Sequence, residues 1–129
     1  MSADTPKILV AEDNYVMANI LRFNLERTGF EVRVASSGTE AAELLQQNQF
    51  DMLLSDYQMP GLSGEELCRR VREDQRHARM PVVLISAKGY ELDTDRLSKE
   101  LSLAKVLFKP FSPKEVISLV QSVLGPMPA

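Results

Sequence analysis

Five short apolar runs, Lys7 to Ala11, Glu31 to Ala35, Phe50 to Asp56, Pro81 to Ser86 and Lys105 to Phe108, alternate with five longer stretches of helical period. The longer stretches are Tyr15 to Thr28, Thr39 to Gln47, Gly64 to Glu73, Leu92 to Leu101 and Pro113 to Leu124. The runs are too short for helices, and several are rich in valine, isoleucine and leucine, so they read as strands. Strict strand–helix alternation with uniformly apolar strands implies an α/β fold, a parallel sheet covered by helices on both faces and joined by right-handed crossovers. The last helix carries Val116, Ile117, Leu119, Val120, Val123 and Leu124 and is too apolar to stand free of that sheet.

Boundary residues support these spans. Ser37-Gly38-Thr39-Glu40, Ser63-Gly64-Glu65-Glu66 and Ser112-Pro113-Lys114-Glu115 each fit Ser-x-x-Glu, in which serine and glutamate satisfy free backbone donors at a helix start. Pro113 falls at the first helical position, where its missing N–H is not needed. Gly29 closes the first helix and Gly125-Pro126 the last.

The 129 residues, 44% of them hydrophobic, suit one compact domain with a core of about 7–124. The closing "GPMPA" is either a natural end or the start of a linker. A net charge of −3 gives no basic footprint for nucleic acid and no polybasic membrane anchor. No apolar run approaches membrane-spanning length, and Met1 to Lys7 lacks the pattern of a signal peptide. Cys68 stands alone, which leaves no disulfide framework or cysteine metal site and makes it a packing residue. These features lead us to expect a soluble cytoplasmic protein that neither binds nucleic acid directly nor inserts into membrane.

In parallel sheets of this kind, ligands bind beyond the carboxyl ends of the strands. Glu12 and Asp13 follow the first strand, Asp56 ends the third, Ser86 ends the fourth and Lys109 follows the fifth. Each has an ordinary reading alone: Asp13 or Asn14 as a helix cap, Ser86 as a turn hydroxyl, Lys109 as a surface lysine. One fold nevertheless brings all of them to one rim. Three carboxylates there repel one another and resist ionising together, so something positive belongs among them. Oxygen ligands without nearby histidine or cysteine suit a hard cation such as Mg²⁺, with Mn²⁺ as an alternative. Three negative charges then balance Mg²⁺ and the Lys109 ammonium, so a phosphoryl group can be accepted without a large electrostatic penalty. A carboxylate can attack phosphorus under such conditions, and Asp56 is placed to do so. Glu12 and Asp13 would hold the metal, while Ser86 and Lys109 would contact phosphoryl oxygens.

The acidic pair in "VAEDN", the acceptor in "LLSDYQMPGLSG", the hydroxyl and small residue in "VVLISAKG" and the lysine in "VLFKPF" resemble the receiver domain of bacterial two-component response regulators, the chemotaxis regulators among them. Order and spacing match from Lys7 to about Leu124. The resemblance, and not the alternation itself, implies a flavodoxin-like (βα)5 doubly wound sheet in the order 2-1-3-4-5. It implies Asp56 as phosphoacceptor, Glu12 and Asp13 as metal-site acids, the Gln58 carbonyl as a further metal ligand, and Ala87 as the small residue beside the site. It also implies Ser86 and Lys109 as switch residues and a cis Lys109–Pro110 bond. A histidine kinase or phosphotransfer protein would supply the phosphoryl group, with small phosphodonors able to substitute. The domain would act as a switch, not as an enzyme with an external substrate: phosphorylation draws Ser86 toward the new charge and shifts a face of the fourth helix, fifth strand and fifth helix. Lys99, Lys105, Val106 and Phe111, with Ser86 and Lys88 at the site end, are candidates for that output surface, which would meet a downstream protein or an output domain absent from this chain.

Two positions depart from the family pattern. Val106 stands where the switch aromatic is usual, so an aromatic flip cannot report phosphorylation, and Ser102 stands where a glycine usually closes the fourth helix. Gln58 and Lys88 occupy positions that in the family tune phosphoryl loss, and Lys88 is expected to lie over the site and hinder water. Met17, Ile20 and Leu21 read as a core face of the first helix. A phosphatase of the Asp-x-Asp kind would need an acid where Gln58 stands. A flavodoxin or P-loop protein would need a phosphate loop where "AEDNYV" offers negative charge. The alternative that survives is a protein-interaction module of the same fold that works without phosphorylation.

Overall fold

The computed structural model describes residues 5–87 and 94–125. In chain order the elements are β1 (Lys7–Ala11), α1 (Tyr15–Thr28), β2 (Glu31–Ala35), α2 (Gly38–Gln47), β3 (Met52–Asp56), α3 (Gly64–Glu73), β4 (Val82–Ala87), α4 (Thr94–Leu101), β5 (Lys105–Lys109) and α5 (Pro113–Leu124). The strands form one sheet in the order β2-β1-β3-β4-β5, and every neighbouring pair is parallel. This is the doubly wound, flavodoxin-like arrangement expected from the resemblance. Ala11 lies opposite Ser55, Asp56 opposite Ile85 and Ala87 opposite Lys109, so β1, β3, β4 and β5 end together on one rim.

Alternation along the central strands divides the core in two. Leu9, Leu53, Val82 and Leu84 face Leu45, Leu67, Cys68, Val71 and Leu97 of α2, α3 and α4. Ile8, Val10, Met52, Leu54, Val83 and Ile85 face Leu21, Leu25, Val116 and Val120 of α1 and α5. Cys68 is fully buried, as its reading as a packing residue requires. Both sides of β1, β3 and β4 are dry, which is why their sequences are continuous apolar runs. Among the described residues no helix is long and apolar enough to cross a membrane.

Some boundaries differ from the sequence reading. β3 begins at Met52, not Phe50: the Phe50 N–H leaves the sheet and donates to His77 Nε2 at 3.1 Å. β4 runs through Ala87 and β5 through Lys109. Leu92, read as the start of the fourth helix, lies outside the described residues. Ser63 and Ser112 form complete capping boxes, whereas Glu40 turns its carboxylate to Ser36 and leaves Ser37 to cap α2 alone. On α1, Leu21 is buried and Met17 half-buried, but Ile20 is 40% exposed. The helix pitch turns Ile20 to solvent together with Val16 and Phe23, so the expected core face includes Leu21 but not Ile20.

His77 is buried and holds the loop before β4. Its Nδ1 meets Asp74 at 3.0 Å while its Nε2 accepts from Phe50, which assigns the proton to Nδ1. The His77 hydrogen bond, followed by the Arg76 N–H, holds Asp74 below the usual carboxylate range.

Ser102 follows α4 at φ 53°, the left-handed conformation, and the Leu103 N–H closes back on the Ser98 carbonyl at 3.1 Å. The helix therefore ends where it would with glycine, at the expense of a strained serine. Ser102→Gly is expected to stabilise the protein by about 0.5–1 kcal/mol, read as a higher urea midpoint at unchanged slope. An unchanged or lower midpoint would contradict strain at this position.

Candidate functional site

Sequence left open whether Asp13 or Asn14 caps α1. Asn14 is the cap, its Oδ1 accepting the Met17 N–H at 2.9 Å. Asp13 is thereby free to face the rim, where it joins Glu12 and Asp56. One carboxylate oxygen from each of the three lies within 4.8 Å of the others. Glu12 and Asp56 are buried, at 2% and 7% exposure, whereas Asp13 is exposed.

Lys109, the last residue of β5, reaches over these acids. Its Nζ is 3.2 Å from Asp56 Oδ1 and 3.7 Å from Glu12 Oε1. The peptide that follows it, Lys109–Pro110, is cis. Glu12 Oε2 accepts the Asn14 N–H at 3.1 Å, but the buried Oε1 has no hydrogen-bond partner among the described residues. Among the described residues three carboxylates thus face one ammonium, and a buried oxygen lone pair is unfilled. A divalent cation would satisfy both conditions.

Beside this cluster is a cleft of about 50 Å³ lined by Asp56, Tyr57, Gln58, Ser86, Ala87 and Lys109. Ordinary small-molecule pockets span roughly 300–1,000 Å³, so this one has room for a phosphoryl-sized group and not for a nucleotide. Larger grooves, near 310 Å³ between α2 and α3 and 540 Å³ between β5 and α5, lack the acid cluster. Of these three spaces the smallest is the one beside the acid cluster.

Burial raises the Asp56 carboxyl, against the pull of Lys109 and with repulsion from Asp13 adding to the rise. Burial likewise raises Glu12, opposed by the Asn14 N–H and reinforced by Asp56. For Lys109 burial acts downward, but Asp56 and Glu12 outweigh it and hold the ammonium above its ordinary range. A carboxyl raised in the folded state binds protons more tightly there than in the unfolded chain, so ionising it weakens folding. For Asp56 that penalty is absent below the ordinary value of 3.8, develops as pH rises toward the raised folded value, and is complete above it. The Lys109 contribution runs the other way, present below 10.5 and lost only above it. Asp56→Asn is accordingly expected to unfold at a higher temperature than wild type at pH 7 in a metal chelator, with an advantage that shrinks toward pH 4. Calorimetry across that range checks it, and an Asp56→Asn melting point below wild type at pH 7 would contradict it.

The remaining residues singled out from sequence fall as follows. Ser86 is buried in β4 and Ala87 is exposed at its end. Gln58 is exposed in the β3–α3 loop, and Lys88 lies outside the described residues. Lys105 is exposed and Val106 half-buried on β5, while Phe111 is half-buried against the α1 and α5 core. Phe108, 41% exposed, is the large apolar side chain that β5 presents to solvent, and sequence reading missed it. Strand alternation around Val106 was the signal for it. Tyr57 was also missed as a lining residue, and its hydroxyl meets Glu65 at 3.4 Å.

Residues 8–121 match the family model described as the response regulator receiver domain. The phosphate regulon transcriptional regulatory protein PhoB of Rhizobium meliloti (strain 1021) is 39% identical over 119 residues, which are 92% of this chain and 52% of that protein. The chain thus spans about half the length of that relative. The chemotaxis response regulator CheY4 of Vibrio cholerae superposes with a TM-score of 0.84 at 26% identity, over 92% of this chain and 98% of that one. The receiver domain of a Pseudomonas aeruginosa PAO1 sensor histidine kinase, solved with magnesium ion coordinated in its active-site cleft, gives 0.83 at 25% identity, over 94% and 98%.

Proposed function

This chain belongs to the response-regulator receiver-domain family, and from that premise we propose that Asp56 accepts a phosphoryl group in a Mg²⁺-dependent step that switches a protein-binding surface. The observation that carries the proposal is the 3.2 Å Lys109–Asp56 contact beside three clustered carboxylates and a phosphoryl-sized cleft. A carboxylate oxygen of Asp56 attacks phosphorus, the bond from phosphorus to the donor breaks, and the donor departs with its electron pair, leaving an acyl phosphate. Lys109 pairs with one transferring oxygen, and the Ser86 hydroxyl donates to another. Glu12, Asp13, Asp56 and the Gln58 carbonyl would hold Mg²⁺, which supplies charge neutralisation for the phosphoryl oxygens. Mn²⁺ would fit the same oxygen set.

The donor is a phosphohistidine on a histidine kinase or phosphotransfer protein, in line with the sensor-kinase receiver to which the chain is similar. The readout passes through the β5 neighbourhood to a protein partner or an output domain, and the match to half of a transcriptional regulator is compatible with either. Intact-mass spectrometry after incubation with acetyl phosphate tests the chemistry. One added phosphate in wild type, absent without Mg²⁺ and absent in Asp56→Asn, is expected. A folded wild type that gains none would favour a module that works without phosphorylation.

A further inference from the structure

Asp56 is aimed by its backbone, and one residue outside the acid cluster presses on that backbone. Gly64 opens α3 and is buried. A Cβ there would stand 2.5 Å from the Asp56 carbonyl oxygen, 2.9 Å from the Tyr57 Cα and 3.1 Å from Leu84 Cδ2. The first two contacts are closer than any side chain tolerates, and both are with main chain.

Neither side yields cheaply. β3 is a central strand bonded to β1 and β4, and the Tyr57 N–H is tied to the Ile85 carbonyl at 2.7 Å. The start of α3 is fixed by the Ser63–Glu66 capping box and by burial of Leu67 and Cys68 one turn on and Val71 two turns on. The Gly64 N–H also donates to the Tyr57 carbonyl at 2.8 Å, so helix start and strand end are bonded across the contact. Ser55, fully buried, donates its hydroxyl to the same Asp56 carbonyl at 3.0 Å.

We propose that Gly64 is a positioning residue for the phosphoryl-transfer site. The missing side chain sets where the Asp56–Tyr57 peptide lies, and with it the aim of the Asp56 carboxylate toward Lys109 and the place of Gln58 in the cleft. Ser55 holds the same carbonyl from the other side. This inference rests on Asp56 being the acceptor. A displacement near 1 Å at a reacting group is worth up to about a hundredfold in rate, so a methyl group at Gly64 is felt in chemistry beyond its effect on folding.

The test compares wild type, Gly64→Ala, Ser55→Ala and Cys68→Ala, each at a temperature where circular dichroism shows it folded. Cys68→Ala perturbs the core face of the same helix, one turn on from Gly64. The rate of phosphate gain is followed by mass spectrometry at saturating acetyl phosphate and Mg²⁺. Gly64→Ala is expected to be at least roughly tenfold slower than wild type and Ser55→Ala roughly threefold slower, with Cys68→Ala within about twofold. Gly64→Ala within twofold of wild type, or no slower than Cys68→Ala, overturns the proposal. If Gly64→Ala does not fold even combined with Ser102→Gly, Ser55→Ala decides, and a wild-type rate there overturns it. If wild type itself takes up no phosphate, the reading of Asp56 has failed separately. Metal-free amide spectra then decide, with Tyr57 and Gln58 shifted in Gly64→Ala and not in Cys68→Ala if Gly64 sets this peptide, and unshifted if it does not.

Discussion

Lys109→Ala is expected to slow phosphate uptake at Asp56 by about 10²–10³-fold, the usual loss when a fixed donor to developing charge is removed. Lys109 Nζ lies against both Asp56 and Glu12, and among the described residues no other cation pairs with either acid. Without it the transferring oxygens meet buried carboxylates with one fewer positive charge. Mg²⁺ binding should move the opposite way and tighten, because the site becomes more negative. Parallel Mg²⁺ titrations and single-turnover phosphorylation separate the two effects. Lys109→Arg keeps the charge but replaces a compact ammonium with a planar fork, so only part of the rate returns. A Lys109→Ala rate within twofold of wild type would show that the lysine plays no part in transfer.

Arg72→Ala is expected to destabilise the protein by about 3 kcal/mol, the upper value for one hydrogen bond from a charged donor, because four bonds from one side chain do not add and the freed carbonyls are partly rehydrated. The guanidinium donates to the carbonyls of Leu101 at 2.7 Å, Met80 at 2.7 Å, Ser102 at 3.1 Å and Ala78 at 3.3 Å. It therefore joins α3 to the end of α4 and to the entry of β4. Urea unfolding at constant slope gives the value. A change below about 0.5 kcal/mol would place these bonds with ordinary surface contacts. Because α4 borders the proposed readout face, fraying of its last turn, seen as faster amide exchange at Leu101 and Leu103, should accompany the loss.

Much of the fold could be read from run length and alternation because β1, β3 and β4 are dry on both faces and so appear as continuous apolar runs too short for helices. What these local signals could not supply was strand order, which came from the resemblance, and the limits of strands set by tertiary bonds. Phe50 looks like strand but gives its N–H to a histidine 27 residues away, which no local pattern announces. Ile20 looks like core because it neighbours Leu21, yet a 100° step per residue turns it out.

The site divides similarly. Glu12, Asp13, Asp56, Ser86 and Lys109 could be picked out because the strand ends share one rim. Asn14 as the cap, and Asp13 as the acid left for the cluster, needed coordinates, since either residue type caps a helix. Gly64 and Arg72 were invisible for a different reason. A glycine at a helix start, or an arginine on a helix face, has ordinary uses, and only the 2.5 Å approach to the Asp56 carbonyl and the four hydrogen bonds that Arg72 donates reveal theirs.

One measurement would locate the chemistry on the chain: borohydride reduction of the acetyl phosphate-treated protein followed by peptide mass mapping. Hydride reduces an aspartyl phosphate to homoserine and leaves free carboxylates untouched. Conversion at Asp56 alone, dependent on Mg²⁺, is the predicted result. Conversion at Asp13 or Glu12, or a phosphate that survives reduction on a serine such as Ser86, would contradict Asp56 as the acceptor.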